Sequence, residues 1–149
     1  MSKKTSKQAL QKKRKTSPVW VWLVAGAAVL AILFLVLPPV TPRGNISAEV
    51  TVETAAQMRD EGAFILDVRE QSEWDQFHIP GSTLIPLGSL SQNLGSIPKD
   101  QTIVVVCRTG NRSAEGRDIL LRAGYLDVTS MDGGVTDWKT KGFPIETGR

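Results

Sequence analysis

One cysteine stands at the end of the most apolar β-branched run in the chain, and the residues after it could make it a nucleophile. The run is Ile103–Cys107 (IVVVC), and the segment CRTGNRS continues it to Ser113. Gly110 permits a tight turn, and Arg108 and Arg112 bring positive charge. A helix that begins at Ser113 would point its N-terminal N–H groups back into this loop, where they favour an anion. The spacing therefore predicts a reactive thiolate rather than an inert buried thiol.

Other side chains with reactive chemistry are few. The chain of 149 residues holds one Cys and one His, which excludes an intrachain disulfide and a Cys/His zinc site within one chain. His78 could act as a general base, but a thiolate formed by its loop needs none, and a turn residue bonded to the backbone is the favoured interpretation. Asp67 and Arg69 end an apolar strand, where they either form an ion pair that locks neighbouring loops or support the Cys107 loop.

Several further residues have a structural interpretation beside a functional one. We interpret one acidic group around Trp74 as a solvated helix face, and it comprises Glu70, Glu73 and Asp75. Trp74 itself, like Trp138 and Phe143, either forms an apolar rim or packs helices on the sheet. Gly133 and Gly134 follow a strand end, where such a pair is usually a tight turn rather than an anion cradle.

The elements that must position Cys107 alternate between apolar strands and helical patterns. Such alternation predicts a parallel sheet covered by helices on both faces, with ligands bound beyond the carboxyl ends of the strands. The predicted strands are Glu49–Val52, Ala63–Val68, Thr83–Ile85, Ile103–Cys107 and Val128–Ser130. The predicted helices are Thr54–Glu61, Ser72–Phe77, Leu87–Leu94, Ser113–Ala123 and Val135–Lys141.

The N-terminal part differs in composition from the rest. Through Arg43 there are eight Lys/Arg and no acid, whereas from Gly44 onward ten Lys/Arg face fifteen Asp/Glu. Val19–Leu37 is uncharged and as a helix would span about 28 Å, close to the roughly 30 Å of a bilayer core. We expect an uncleaved single-pass anchor rather than a buried helix or a cleaved signal peptide. The positive-inside rule places the N-terminus in the cytoplasm and the C-terminal domain outside it, at the cell membrane.

These features predict four segments along the chain. A basic cytoplasmic tail covers residues 1–18, the transmembrane helix 19–37, a short linker 38–46, and the α/β domain 47–149. Because the basic tail lies next to a spanning helix, we interpret its charge as the signal that sets the orientation in the membrane, and we expect no nucleic-acid partner.

From Glu49 to Pro144 the chain resembles the single-domain rhodaneses, a family of sulfurtransferases. The resemblance rests on five motifs in family order and spacing, and any one of them alone would be weak. They are DVRE at Asp67 followed by EW at Glu73, HIPGS at His78 leading to IPL at Ile85, CRTGNRS at Cys107, GYLDV at Gly124, and DGGVTDWKTKGFP at Asp132.

The resemblance implies a three-layer α/β/α rhodanese-like domain on a five-stranded, mostly parallel sheet. It also implies a sulfur relay without metal or organic cofactor. Cys107 would take the outer sulfur of a small sulfane donor such as thiosulfate and pass it, as a persulfide, to a thiol or cyanide. Arg112 and Arg108 would attract the anionic donor. The loop that would hold the terminal sulfur comprises Arg108, Thr109, Gly110, Asn111, Arg112 and Ser113.

Alternatives of other classes stay open at this point. A tethered rhodanese-like module could bind a partner, or sense sulfide or oxidant through Cys107, without turnover. A related phosphatase would use a longer Cys-x5-Arg loop, whereas the spacing to Arg112 is Cys-x4-Arg, and Val106 stands where such phosphatases have a His. The lone Cys requires a separate acceptor, which could be a small thiol or a protein.

Overall fold

A computed structural model describes residues 46–148 of the chain, and these form one alternating series of strands and helices. The predicted alternation is confirmed, with boundaries shifted by one to three residues at most ends. The strands are β1 (Glu49–Val50), β2 (Phe64–Asp67), β3 (Thr83–Leu84), β4 (Ile103–Val106) and β5 (Val128–Met131). The α-helices are α1 (Val52–Asp60), α2 (Gln71–Trp74), α3 (Asn111–Arg122) and α4 (Gly134–Thr140).

The strands form a single five-stranded sheet in the order β1-β5-β4-β2-β3, and every pairing in it is parallel. Strand β4 lies at the centre, where all four of its residues are buried because both faces are covered. Val106, its last residue, pairs with Asp67 at the end of β2. The carboxyl ends of β2 and β4 therefore meet at one edge, and Cys107 follows directly.

Side chains of β4 alternate between two apolar cores, which makes three layers. Val105 packs in the core that includes Leu120 of α3, whereas Val104 and Val106 pack in the core that includes Trp138 of α4. Helix α1 covers the second face together with α4. Gly116 allows α3 to pack closely on the sheet, because a Cβ at this position would lie 3.1 Å from the Val105 side chain.

The predicted short helix Leu87–Leu94 is confirmed as helical, and it consists of two 3-10 helices, Leu87–Gln92 and Leu94–Ser96. Serine hydroxyls bond carbonyls three residues earlier in this stretch. Ser89 donates to Pro86 at 3.0 Å, and such local bonds compete with a regular α-helix.

The predicted basic tail, the transmembrane span and the linker up to residue 45 lie outside the described residues. Between residues 46 and 148, no helix is long and apolar enough to cross a membrane.

Candidate active site

Cys107 lies at the carboxyl end of β4 and is 1% exposed. The loop after it turns at Gly110, whose φ of 109° is open to glycine and unfavourable for other residues. Helix α3 then begins at Asn111, two residues before the predicted start at Ser113. Ser113 consequently lies inside the first turn of α3, fully buried against the thiol rather than ahead of the helix.

Two groups of the loop make hydrogen bonds with the sulfur. The Gly110 N–H donates to Cys107 Sγ at 3.2 Å. The thiol in turn lies 3.7 Å from Ser113 Oγ, to which it donates, and the Ser113 hydroxyl donates to the Gly110 carbonyl. Among the described residues, Sγ accepts a hydrogen bond from Gly110 alone and donates one to Ser113 alone. The other four residues of the predicted loop make no hydrogen bond with Sγ, and their predicted role toward the outer sulfur of a persulfide stays a prediction. They are Arg108, Thr109, Asn111 and Arg112.

Helix α4 supports the loop from behind. The Val135 N–H donates to the Cys107 carbonyl at 2.8 Å, and the Thr136 N–H donates to the Arg108 carbonyl at 3.1 Å. Gly134 allows this approach, because a Cβ there would lie 2.5 Å from the Arg108 carbonyl carbon. The Gly133–Gly134 pair therefore forms a turn that holds the reactive loop, in line with the favoured interpretation.

Arg112 forms a two-pronged ion pair with Glu73, whose side chain is 22% exposed. Its two terminal nitrogens bond the two carboxylate oxygens at 2.7 and 2.8 Å. The hydrogen bond from Arg112 lowers the pKa of Glu73 from 4.5 to about 2, and the same bond raises the pKa of Arg112. The assignment of Glu73 to a solvated helix face is wrong, because the carboxylate turns toward the loop to reach Arg112. In the sequence, the EW motif was the only signal that favoured a functional role for Glu73.

Asp67 and Arg69 form a buried ion pair at the end of β2. The Arg69 Nη2 lies 2.6 Å from Asp67 Oδ2, and both side chains are at most 2% exposed. Arg69 also donates to the carbonyls of Glu73 and Phe77, at 3.3 and 2.8 Å. The ion-pair interpretation is confirmed. The pair fixes the segment that carries Glu73 and so reaches the Cys107 loop indirectly.

His78 is occupied by structural contacts. Its ring stacks on Trp74 with centroids 3.9 Å apart, and Nδ1 lies 3.2 Å from the Trp74 carbonyl. The predicted bond to the backbone is confirmed. Trp138 is fully buried, donates to the Pro144 carbonyl and contacts Phe143, so it packs a helix on the sheet.

The arrangement can do one kind of chemistry well. A cysteine at a strand end, with an N–H aimed at its sulfur and two arginines in the same loop, can act as a nucleophile and can hold a second sulfur at the same place. Among the described residues, no group of three or more His, Cys, Asp or Glu is placed to hold a metal ion.

Comparison with known proteins identifies the family to which this site belongs. The family described as "Rhodanese-like domain" matches residues 51–141, which include β2, β4, the Cys107 loop and α4. The chain belongs to the rhodanese-like family. Thiosulfate sulfurtransferase GlpE of Pseudomonas syringae is 36% identical over 95 residues, which are 64% of this chain and 89% of GlpE. GlpE of Pseudomonas fluorescens is 39% identical over 95 residues.

Other relatives carry the rhodanese-like domain in a larger protein. The probable adenylyltransferase/sulfurtransferase MoeZ of Mycobacterium tuberculosis is 40% identical over 76 residues, and this chain spans only 19% of its length. A rhodanese-related protein of Thermoplasma volcanium has the same fold, with a TM-score of 0.62 at 27% identity. That alignment covers 67% of this chain and 98% of the other.

Proposed function

We propose that this rhodanese-like domain is a sulfurtransferase that carries sulfane sulfur on Cys107. The observation that supports this most directly is the Gly110 N–H aimed at Cys107 Sγ at 3.2 Å, in a loop held on both sides by helices. Relatives named thiosulfate sulfurtransferase, at 36–39% identity, support the same reaction class.

In the first half-reaction the Cys107 thiolate attacks the outer sulfur of thiosulfate. A bond forms between Sγ and that sulfur, the S–S bond of thiosulfate breaks, and sulfite leaves with the electron pair. The product is the Cys107 persulfide. Arg108, which is exposed, attracts the dianionic donor, whereas the charge of Arg112 is matched by the carboxylate of Glu73.

In the second half-reaction a nucleophile attacks the outer sulfur of the persulfide. Cyanide is converted to thiocyanate, or a thiolate is converted to its persulfide. Cys107 is the leaving group and returns to the thiolate with which the cycle began. The backbone N–H groups from Arg108 to Ser113 hold the terminal sulfur between the two steps, as an oxyanion hole holds an oxygen. The short Cys-x4-Arg loop, closed by Arg112 on Glu73, suits one sulfur atom better than a phosphate.

The activity is tested by following thiocyanate formed from thiosulfate and cyanide by the purified full chain. Cys107→Ser should abolish turnover while the free energy of unfolding stays within ~1 kcal/mol of the native value. Turnover that persists in this variant would refute the relay. Formation of the persulfide without turnover would favour a carrier or a sensor of sulfide or oxidant instead.

We extend the proposal to the location of the protein in the cell. The apolar run 19–37 and the basic residues before it support an anchor in the cell membrane, with the rhodanese-like domain outside the cytoplasm. Protease added to cells with an opened outer layer should digest this domain. Protection of the domain would contradict the outward orientation.

A further inference from the structure

A cavity of about 280 Å³ lies beside the reactive loop. Arg69 and Phe77 line it from the segment after β2, Arg108 lines it from the loop, and Thr136 and Lys139 line it from α4. We propose that this cavity binds the carboxylate of a small acidic thiol that accepts sulfur from Cys107. The inference rests on the proposed sulfurtransferase function and adds the chemical class of the acceptor.

The charge of the cavity wall favours an anion. Arg108 and Lys139 are both exposed, and neither has a carboxylate partner among the described residues. The charge of Arg69 is matched by Asp67 behind the wall, and the carboxylate of Glu73 is matched by Arg112. Two cations are therefore available to a ligand, and no lining carboxylate is left to oppose it.

The Lys139 side chain lies at the cavity wall, where it can contact a bound ligand. Its ammonium lies 4.5 Å from the centroid of the Phe77 ring, on an aromatic wall of the same cavity. A cation–π contact of this kind restricts the long side chain. The Thr136 hydroxyl adds a neutral hydrogen-bonding group, so the cavity offers a cationic end and a partly apolar wall.

The cavity has room for a small organic molecule. Its volume of about 280 Å³ is many times the roughly 10–15 Å³ that one water needs. Thiosulfate has five non-hydrogen atoms and would leave much of this space to water. A thiol with one or two carboxylates would fill more of it.

The position of the cavity suits an acceptor. Cys107 itself does not line it, but Arg108 is the next residue, and its carbonyl is bonded to the Thr136 N–H at 3.1 Å. The proposal requires that a ligand held by its carboxylate at Arg108 and Lys139 extends its thiol past Arg108 to the persulfide. The acceptor thiolate then bonds the outer sulfur, the bond from that sulfur to Cys107 Sγ breaks, and Cys107 leaves as a thiolate. The acceptor departs as its persulfide, and no external oxidant or reductant is needed.

The test uses the purified full chain, with Cys107 first converted to the persulfide and the gain of sulfur checked by mass. Its discharge is then timed with mercaptosuccinate, which carries two carboxylates, and with 1-thioglycerol, which carries none. The ratio of the two second-order rate constants is compared between variants, so the intrinsic reactivity of each thiol cancels. Lys139→Gln removes the proposed contact. Lys141→Gln is the matched control, because it also removes one positive charge, two residues further along the chain. The Lys141 ammonium pairs with Glu53 and does not line the cavity.

Lys139→Gln should lower the ratio of mercaptosuccinate to thioglycerol rate constants about fivefold, as expected for one partly exposed charged contact. Lys141→Gln should change the ratio by less than about twofold, through long-range charge alone. An unchanged ratio in Lys139→Gln, or an equal fall in both variants, would overturn the acceptor site and leave the sulfurtransferase proposal standing. Failure of Cys107 to gain sulfur from thiosulfate or an alkyl persulfide would overturn the sulfurtransferase proposal, and this inference with it.

Discussion

Gly134→Ala tests how strictly the Cys107 loop depends on the helix behind it. A Cβ at this position would lie 2.5 Å from the carbonyl carbon and oxygen of Arg108, and nearer still to the Cys107 carbonyl oxygen. Real Cβ atoms essentially never come within 3.0 Å of such atoms, so the backbone of either α4 or the loop must move. The hydrogen bond from the Val135 N–H to the Cys107 carbonyl, 2.8 Å long, would be strained by that movement.

The magnitude has two parts that a control variant separates. Gly134 has a φ of +60°, where a residue with a Cβ costs about 1–2 kcal/mol. The steric overlap adds about 1–3 kcal/mol, as overpacking does in a well-packed site. Gly142 has a φ of +79° and nothing within 4 Å of its Cβ position, so Gly142→Ala carries the first part without the second.

Chemical unfolding followed by tryptophan fluorescence should show Gly142→Ala destabilised by about 1–2 kcal/mol and Gly134→Ala by about 2–5 kcal/mol. The rate of Cys107 persulfide formation should be close to native in Gly142→Ala. In Gly134→Ala it should fall by about a hundredfold, because a displacement near 1 Å in a reactive geometry has that effect. Equal stability and equal rates in the two variants would refute the argument that α4 positions the loop.

Three further perturbations follow from the ion pairs and packing around the site. Asp67→Asn leaves the buried charge of Arg69 uncompensated and should destabilise the domain by about 3–5 kcal/mol in urea unfolding; a loss below 1 kcal/mol would argue against the pair. Glu73→Gln should cost about 1 kcal/mol at pH 7, since solvent reaches 34% of the Arg112 side chain. Because the pKa of Glu73 is lowered to about 2, its contribution is complete above pH 4.5 and is lost as the pH falls toward 2. A difference between native and Gln variants that does not shrink over this range would contradict the assignment. Gly116→Ala should lower the melting temperature, because its Cβ would crowd the side chain of a β4 valine; a higher melting temperature would show that β4 yields.

Much of the fold could be predicted because it is written in local patterns. The apolar run IVVVC, followed by a glycine turn and a helix, is enough to place Cys107 at the end of a central parallel strand. The pairing of Asp67 with Arg69 was also within reach, because the residues are two apart and end the same strand. Local reasoning therefore located the nucleophile and the edge of the sheet on which it stands.

The parts that escaped prediction depend on distant segments meeting. Glu73 and Arg112 are 39 residues apart, and the polar stretch around Glu73 has the pattern of any exposed helix. The cavity is assembled from three segments, so the cations Arg108 and Lys139 carry no shared signal along the sequence. The hydrogen bond from the Val135 N–H to the Cys107 carbonyl likewise depends on how closely α4 approaches the loop. Gly134 permits this approach, but a glycine in the sequence does not by itself predict it.

The central claim is that Cys107 carries a transferable sulfur, and intact-mass analysis tests it most directly. The full chain is treated with thiosulfate, weighed, then treated with cyanide and weighed again, with Cys107→Ser beside it. We expect a gain of one sulfur, about 32 Da, that cyanide removes and that Cys107→Ser never shows. A chain that gains no sulfur while Cys107 remains open to alkylation, or a Cys107→Ser variant that gains it equally, would contradict the claim.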